Sequence, residues 1–245
     1  MLIKLICCDV FTRIACSLIA HSPHIVDVEF VPMLAHNEPK KLRADIQARI
    51  DRCVTERRYE SIALGFGLCG NAATSLTASV PMIIPRMHDC CTMFMGSKGR
   101  FLEAFGGALS TRWCSSGYYE RGYIDGRYMG VEEANSAYRT SLEYMGYVEQ
   151  YGEENADYIW ETMHPDIETE DAVYIHIEGH EHSGSFEFFK SDVEGRGKAL
   201  RIVEGDISFL RALIDGDWDE KRFLRVEPGQ RVIAVYDMDT VMTAE

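Results

Sequence analysis

The sequence predicts an α/β protein built on a parallel sheet, and three observations predict it. Short apolar runs at residues 2–7, 25–33, 61–66 and 80–85 recur through the first hundred residues and read as buried strands. The segments between them are long enough for helices, and strand–helix–strand units place their strands parallel. A second series, with strands at 171–178 and 199–203 and helical segments after each, follows in the other half.

Taken in order, residues 2–7 are almost continuously apolar and lead into Cys7, Cys8 and Asp9; a helix is predicted over 12–20. Strand 25–33 runs into a turn-rich loop at 34–39 that carries His36. Pro39 suits the first turn of a helix over 40–57, where Leu42, Ile46, Ile50 and Val54 recur at helical spacing. Strand 61–66 meets Gly67-Leu68-Cys69-Gly70-Asn71, a short helix is predicted over 71–78, and strand 80–85 delivers Arg86, His88, Asp89, Cys90 and Cys91. A helix over 92–105 ends at Gly106-Gly107. Residues 106–130, rich in Gly, Tyr, Arg and Ser, are too long and aromatic for a plain linker and read as a lid or binding loop. Residues 131–163 predict one long helix with Tyr138, Leu142, Met145, Val148 and Tyr151 on its core stripe. Strand 171–178, a helix near 186–194, strand 199–203, a helix at 207–213 and a last strand at 229–236 complete the chain. The expected architecture is Rossmann-like: two similar lobes, residues 1–130 and 131–245, joined by the long helix.

At 245 residues the chain can bury a sizeable core. A formal charge of −14 argues against nucleic acid or an anionic membrane as the main partner. No apolar run approaches the ~20 residues of a membrane span. The apolar start breaks at Asp9 and Arg13, so it reads as a strand and not as a secretion signal. Eight cysteines without such a signal imply a reducing, cytoplasmic setting. Cys16 and Cys53 read as small buried hydrophobes, and Cys7 and Cys91 as packing neighbours of the more interesting positions.

Those positions stand at strand ends. Cys8 follows the first strand, His36 the second, Cys69 the third, and His88 and Cys90 the fourth. In a parallel sheet these loops share one edge, where open α/β sheets bind ligands. Thiolates and imidazoles suit zinc or a similar divalent ion, and three or four of the five would suffice. Asp89 either orients a ligand imidazole or caps the helix that follows. Arg86 either holds a substrate carboxylate or makes a structural ion pair. Gly67, Gly70 and Asn71 resemble a tight turn able to bind an anion, with Asn71 as a substrate contact. Trp113, Tyr118, Tyr119 and Tyr123 offer aromatic faces to a quaternary nitrogen, against the plainer reading of surface packing. Cys69, at a Gly-flanked turn, also has the setting of a cysteine nucleophile. The stretch 177–182 forms a second His/carboxylate patch.

The blocks HNEPKKLR, LGFGLCGNA, PRMHDCCTMFMGS and VEGDISFLRALIDGDWDEKRFLRVEPGQ resemble the domain-of-unknown-function family 1638 over nearly the whole chain. GLCGN and PR-x-HDC are the most specific of these features. Under that resemblance Cys8, His36, Cys69, His88 and Cys90 fall on the family's Cys and His positions, and Cys91 takes a place the family usually gives to Ile. The resemblance implies a part in one-carbon metabolism, linked with corrinoid or tetrahydrofolate methyl transfer from methylated amines.

The expected function is a metal-dependent methyltransferase acting on a small N-methylated, carboxylated substrate. Cys69 and Asp89 are its expected catalytic residues, and tetrahydrofolate or a corrinoid protein is the acceptor. The alternative is a non-catalytic metal- or cofactor-binding accessory protein serving a methyltransferase partner. A cysteine-nucleophile enzyme without metal is the third reading. An enclosed pocket beside the ligands marks the catalyst; an exposed site without a substrate cavity marks the carrier.

Overall fold

The computed structural model describes residues 1–33, 35, 38–105, 112–124, 127–128, 142–152, 155–156, 158–159, 171–181, 184–235 and 240–245. In chain order its elements are β1 (Leu2–Cys8), α1 (Thr12–Ile19), β2 (Ile25–Val31), α2 (Pro39–Glu56), β3 (Ser61–Gly65), β4 (Met82–Pro85), α3 (Cys90–Phe94) and α4 (Lys98–Phe105). These are followed by β5 (Arg112–Ser115), α5 (Ser116–Arg121), the short strands β6 (Tyr123–Ile124) and β7 (Arg127–Tyr128), and α6 (Leu142–Tyr151). Then come β8 (Asp171–His176), α7 (Ser185–Gly195), β9 (Ala199–Glu204), α8 (Ser208–Asp215), β10 (Phe223–Val226), β11 (Val232–Ala234) and β12 (Met242–Ala244).

The main sheet has the order β10-β4-β3-β1-β2. β1 to β4 pair in parallel, and β10 closes the edge antiparallel to β4. Side chains alternate along these strands, and in β1, β3 and β4 both faces are covered. Ile3, Leu5, Ala63, Ile83 and Phe223 enter one core with Phe11, Ile14, Phe94 and Leu213. Ile6, Ile62, Leu64, Met82, Ile84 and Leu224 enter another with Leu42, Ile46 and Ile50 of α2. This two-sided burial explains why the strand runs are nearly all apolar. Lys4 is the exception. Its ammonium reaches Glu29 of β2 at 3.0 Å, and Arg49 of α2 binds the same carboxylate at 2.5 Å.

A second, three-stranded parallel sheet has the order β5-β8-β9. Val173 and Ile175 of β8 share the first core with Ile3 and Leu5. The expected boundary at residue 130 is crossed both ways: β5 pairs with β8, and β10 pairs with β4. Of the long helix expected over 131–163, α6 and the helical residues 155–156 and 158–159 are described; residues 131–141, 153–154, 157 and 160–163 lie outside the described residues. No helix among the described residues is long and apolar enough to cross a membrane.

Three expected elements change. Residues 71–78 form turns, not a helix, because Cys69, Gly70, Asn71 and Ser75 all have left-handed backbone, with φ of 45°, 62°, 70° and 62°. The helix expected over 92–105 is two helices, broken at Gly96 with φ 74°. The last strand is shorter than expected and forms the antiparallel pair β11–β12. Cys53, Cys7 and Cys91 are buried as expected, whereas Cys16 is exposed.

Candidate functional site

Reading out from β1, the strand order reverses: β2 lies on one side, β3 and β4 on the other. The carboxyl ends of β1 and β3 border a crevice at such a reversal, the usual ligand position of an open parallel sheet. A cavity of about 380 Å³ opens there. Cys8, Cys69, His88 and Cys90 all line it, with Asp89, Met33, Phe66, Trp113 and Tyr118.

Local chain geometry explains the convergence. Beyond β3 and β4 the two loops stay paired. Leu68 N–H donates to the Met87 carbonyl at 2.8 Å and Cys69 N–H to the His88 carbonyl at 2.9 Å. That pairing sets Cys69 beside His88 although they are far apart in sequence. It requires Gly67, where a Cβ would stand 2.7 Å from the Asp89 nitrogen and 2.8 Å from the Met87 oxygen. The left-handed run Cys69-Gly70-Asn71 then turns the chain back. Arg43 of α2 fastens it, donating to the Asn71 carbonyl and the Thr74 hydroxyl, each at 2.6 Å. Left-handed backbone at Cys69 and Asn71 costs of order 1–2 kcal/mol each, and such strain concentrates at functional sites.

Cys90 is the first residue of α3, and Asp89 is its N-cap. The Asp89 carboxylate accepts from Thr92 N–H at 2.8 Å and from the Thr92 hydroxyl at 2.9 Å. Of the two sequence readings of Asp89, the cap is thus filled. The Cys90 sulfur lies 3.0 Å from the Tyr118 hydroxyl. The His88 ring nitrogen Nε2 is buried with no hydrogen-bond partner among the described residues.

The cavity resists negative sulfur. Burial, then the neighbouring Asp89, pushes the Cys69 thiol up to about 12. Burial, then the neighbouring Cys90, raises Cys8 well above its ordinary value. Burial, then Cys69, does the same to Cys90. No Lys or Arg is among the described lining residues. The thiols therefore stay protonated at neutral pH unless a cation joins them.

Other expected contacts fall elsewhere. Arg86 donates to the Glu220 carbonyl and the Thr240 carbonyl at 3.0 Å each, and to the Met242 carbonyl. Neither Asn71 nor Tyr119 is among the cavity's lining residues. The Asn71 carbonyl is held by Arg43, and the Tyr119 ring lies 5.2 Å from that of Phe188. The N–H groups of Leu68 and Cys69 face carbonyls, which takes them from the expected anion-binding turn. His36 lies outside the described residues, as does His182, and the side chain of Tyr123 is likewise not described. In the 177–182 patch, Glu181 is engaged by His176 and by Gly179 N–H. Among the described residues no group of three or more His, Cys, Asp or Glu side chains is arranged to hold a metal ion. The Tyr118–Cys90 contact has no sequence signal; Ser115 as N-cap of α5, accepting from Tyr118 N–H at 3.3 Å, is the nearest thing to one.

No curated protein and no solved structure matches the chain. The family model described as "Protein of unknown function (DUF1638)" matches residues 30–213, a span that holds His36, Cys69, His88 and Cys90 and begins after Cys8. Because the match covers well over half of the sequence, the chain belongs to the DUF1638 family of proteins of unknown function.

Proposed function

We propose that the chain is a metal-dependent methyltransferase that demethylates a small N-methylated substrate in the cavity at the ends of β1 and β3. One observation supports this above the rest: the sulfurs of Cys8, Cys69 and Cys90 and a His88 ring nitrogen with no partner among the described residues, from the ends of three strands, line one cavity. Cys69, His88 and Cys90 would hold a zinc-like divalent ion, with Cys8 or His36 completing the set. The donor types suit such an ion; their present arrangement would have to close around it. When bound, the ion would act as a Lewis acid or activate an acceptor, and its charge would offset what burial does to the thiols. Trp113 and Tyr118 bring aromatic surface to the same space, suited to a methylated ammonium. With Arg86 engaged on backbone carbonyls, a carboxylate on the substrate has no support from that residue.

The methyl acceptor in this reading, tetrahydrofolate or a corrinoid protein, rests on the family resemblance and on no feature of the cavity. The β2-β1-β3-β4 order suits a Rossmann-like ligand crevice, and eight free cysteines suit a reducing cytoplasm. An accessory metal carrier is the competing reading, and the cavity of about 380 Å³ beside the thiols favours the catalyst. A cysteine nucleophile without metal is disfavoured by the raised Cys69 thiol.

Elemental analysis of anaerobically purified protein is the test. About one zinc-like ion per chain is expected, lost in Cys69→Ala and His88→Ala while circular dichroism is unchanged. Wild-type protein that holds no ion, even after reconstitution, ends the metal reading. Metal-loaded protein that moves no methyl group from N-methylated amines to either acceptor ends the methyltransferase reading.

A further inference from the structure

The cavity thiols of Cys8, Cys69 and Cys90 are not equivalent. Backbone N–H groups of Val10, Gly67 and Cys90 ease the burial penalty at Cys8, Cys69 and Cys90 respectively. Among the described residues, Cys90 is the one of these three whose sulfur is within hydrogen-bond distance of a side-chain hydroxyl, the Tyr118 phenol at 3.0 Å.

The phenol is held from several sides. The Trp113 ring meets it edge-on at a centroid distance of 4.2 Å, and Phe94 at 6.5 Å. Its N–H is capped by Ser115. The preceding Gly117 presses so closely on the Val10 carbonyl that any Cβ would overlap it, and Arg121 donates to the Asp9 carbonyl at 3.1 Å. Thus α5, which follows a strand of the second sheet, is fixed against the end of β1 in the first. Trp113 and Phe94 thus pack the phenol where its oxygen meets the Cys90 sulfur.

We propose that Tyr118 is a positioning residue for Cys90: its hydroxyl donates to the Cys90 sulfur and holds that sulfur as the cavity's fixed, electron-poor donor. This deepens the metal reading and rests on it. A donor to a metal-bound thiolate withdraws electron density from the sulfur, as partners behind other metal ligands tune theirs. Cys8 and Cys69, without such a donor, remain the more electron-rich sulfurs.

The experiment uses the full chain loaded with cobalt(II), whose sulfur-to-metal charge-transfer band reports the electron density on each thiolate. Tyr118→Phe keeps the ring and removes the hydroxyl. Its band should shift to lower energy, with cobalt stoichiometry and far-ultraviolet circular dichroism unchanged, and Cys90→Ala should abolish the shift between Tyr and Phe at 118. An unchanged band in folded, loaded Tyr118→Phe overturns the proposal and leaves the metal reading standing. If wild-type protein takes up no cobalt, the metal reading fails, and the sulfhydryl stretch of Cys90, isolated by Raman difference against Cys90→Ala, decides the contact itself. Loss of the hydroxyl must then move that stretch, and an unmoved stretch overturns the proposal.

Discussion

Gly67 has backbone on the side where a Cβ would point, so its replacement tests the site's construction at one atom. In Gly67→Ala the added carbon meets the Asp89 nitrogen and the Met87 carbonyl, neither of which can rotate aside. Overpacking of this kind typically costs ~1–3 kcal/mol. The denaturation midpoint should fall accordingly, and the paired loops should separate, taking Cys69 from His88; a midpoint equal to wild type would show that the loops do not pack this closely. At His176 a titration carries the test. Its Nδ1 faces Glu204 at 2.9 Å and its Nε2 faces Glu181 at 3.1 Å. The hydrogen bond to Glu204 is the main cause raising the imidazole above its ordinary 6.5. A raised folded-state value means that the stabilisation is complete below the ordinary value and disappears as pH rises through the folded one. The pair is largely exposed, so solvent screening keeps the stability effect under ~1 kcal/mol. Imidazole proton shifts in a nuclear magnetic resonance titration should give a midpoint above 6.5, and Glu204→Gln should bring it back down.

At the scale of elements, α3 owes its start to Asp89. Asp89→Ala should cost about 1 kcal/mol, the usual loss for an N-cap, whereas Asp89→Asn keeps an acceptor and should lose far less. If Asn behaves like Ala in a urea titration, the carboxylate charge matters more than the cap, and the orienting role regains its case. The elements themselves were largely legible. Strands of alternating burial with both faces covered produce unbroken apolar runs, and these placed β1 to β4 and the parallel edge that carries Cys8, Cys69, His88 and Cys90. What was not legible depends on tertiary contact. The left-handed residues at 69–71 cancel a helix that length alone suggested, and Gly96 divides another because it takes left-handed backbone at φ 74°, at a place where Asp206 leaves no room for a Cβ. β10 escaped notice because four residues at a sheet edge give too short a pattern. The carbonyl partners of Arg86 were out of the sequence's reach, since they come from residues 220, 240 and 242, over a hundred positions away.

For the whole molecule, the two sheets share one core. Phe209, Leu213 and Phe223 from the last third of the chain fill the core formed by Ile3, Leu5 and Ile83, and the Phe209 and Phe223 rings are 4.6 Å apart. α8 packs against both α1 and β3. Expressed alone, residues 1–130 would lack β10 and α8 and would leave the face of β3 and β4 bearing Ala63 and Ile83 without its cover. Burying such side chains contributes about 1.5–3 kcal/mol for each large one, while a folded domain is stable by only ~5–15 kcal/mol. Removing Phe209, Leu210, Leu213, Ile214 and Phe223 together therefore costs as much as the whole stability of a typical folded domain. The full chain should unfold in urea in one transition, with tryptophan fluorescence, to which Trp113 of the second sheet contributes, coinciding with far-ultraviolet circular dichroism. The 1–130 fragment should be molten or aggregated. A fragment that folds cooperatively, or two separate transitions in the full chain, would mean that the cavity and all of its lining residues belong to an independent lobe.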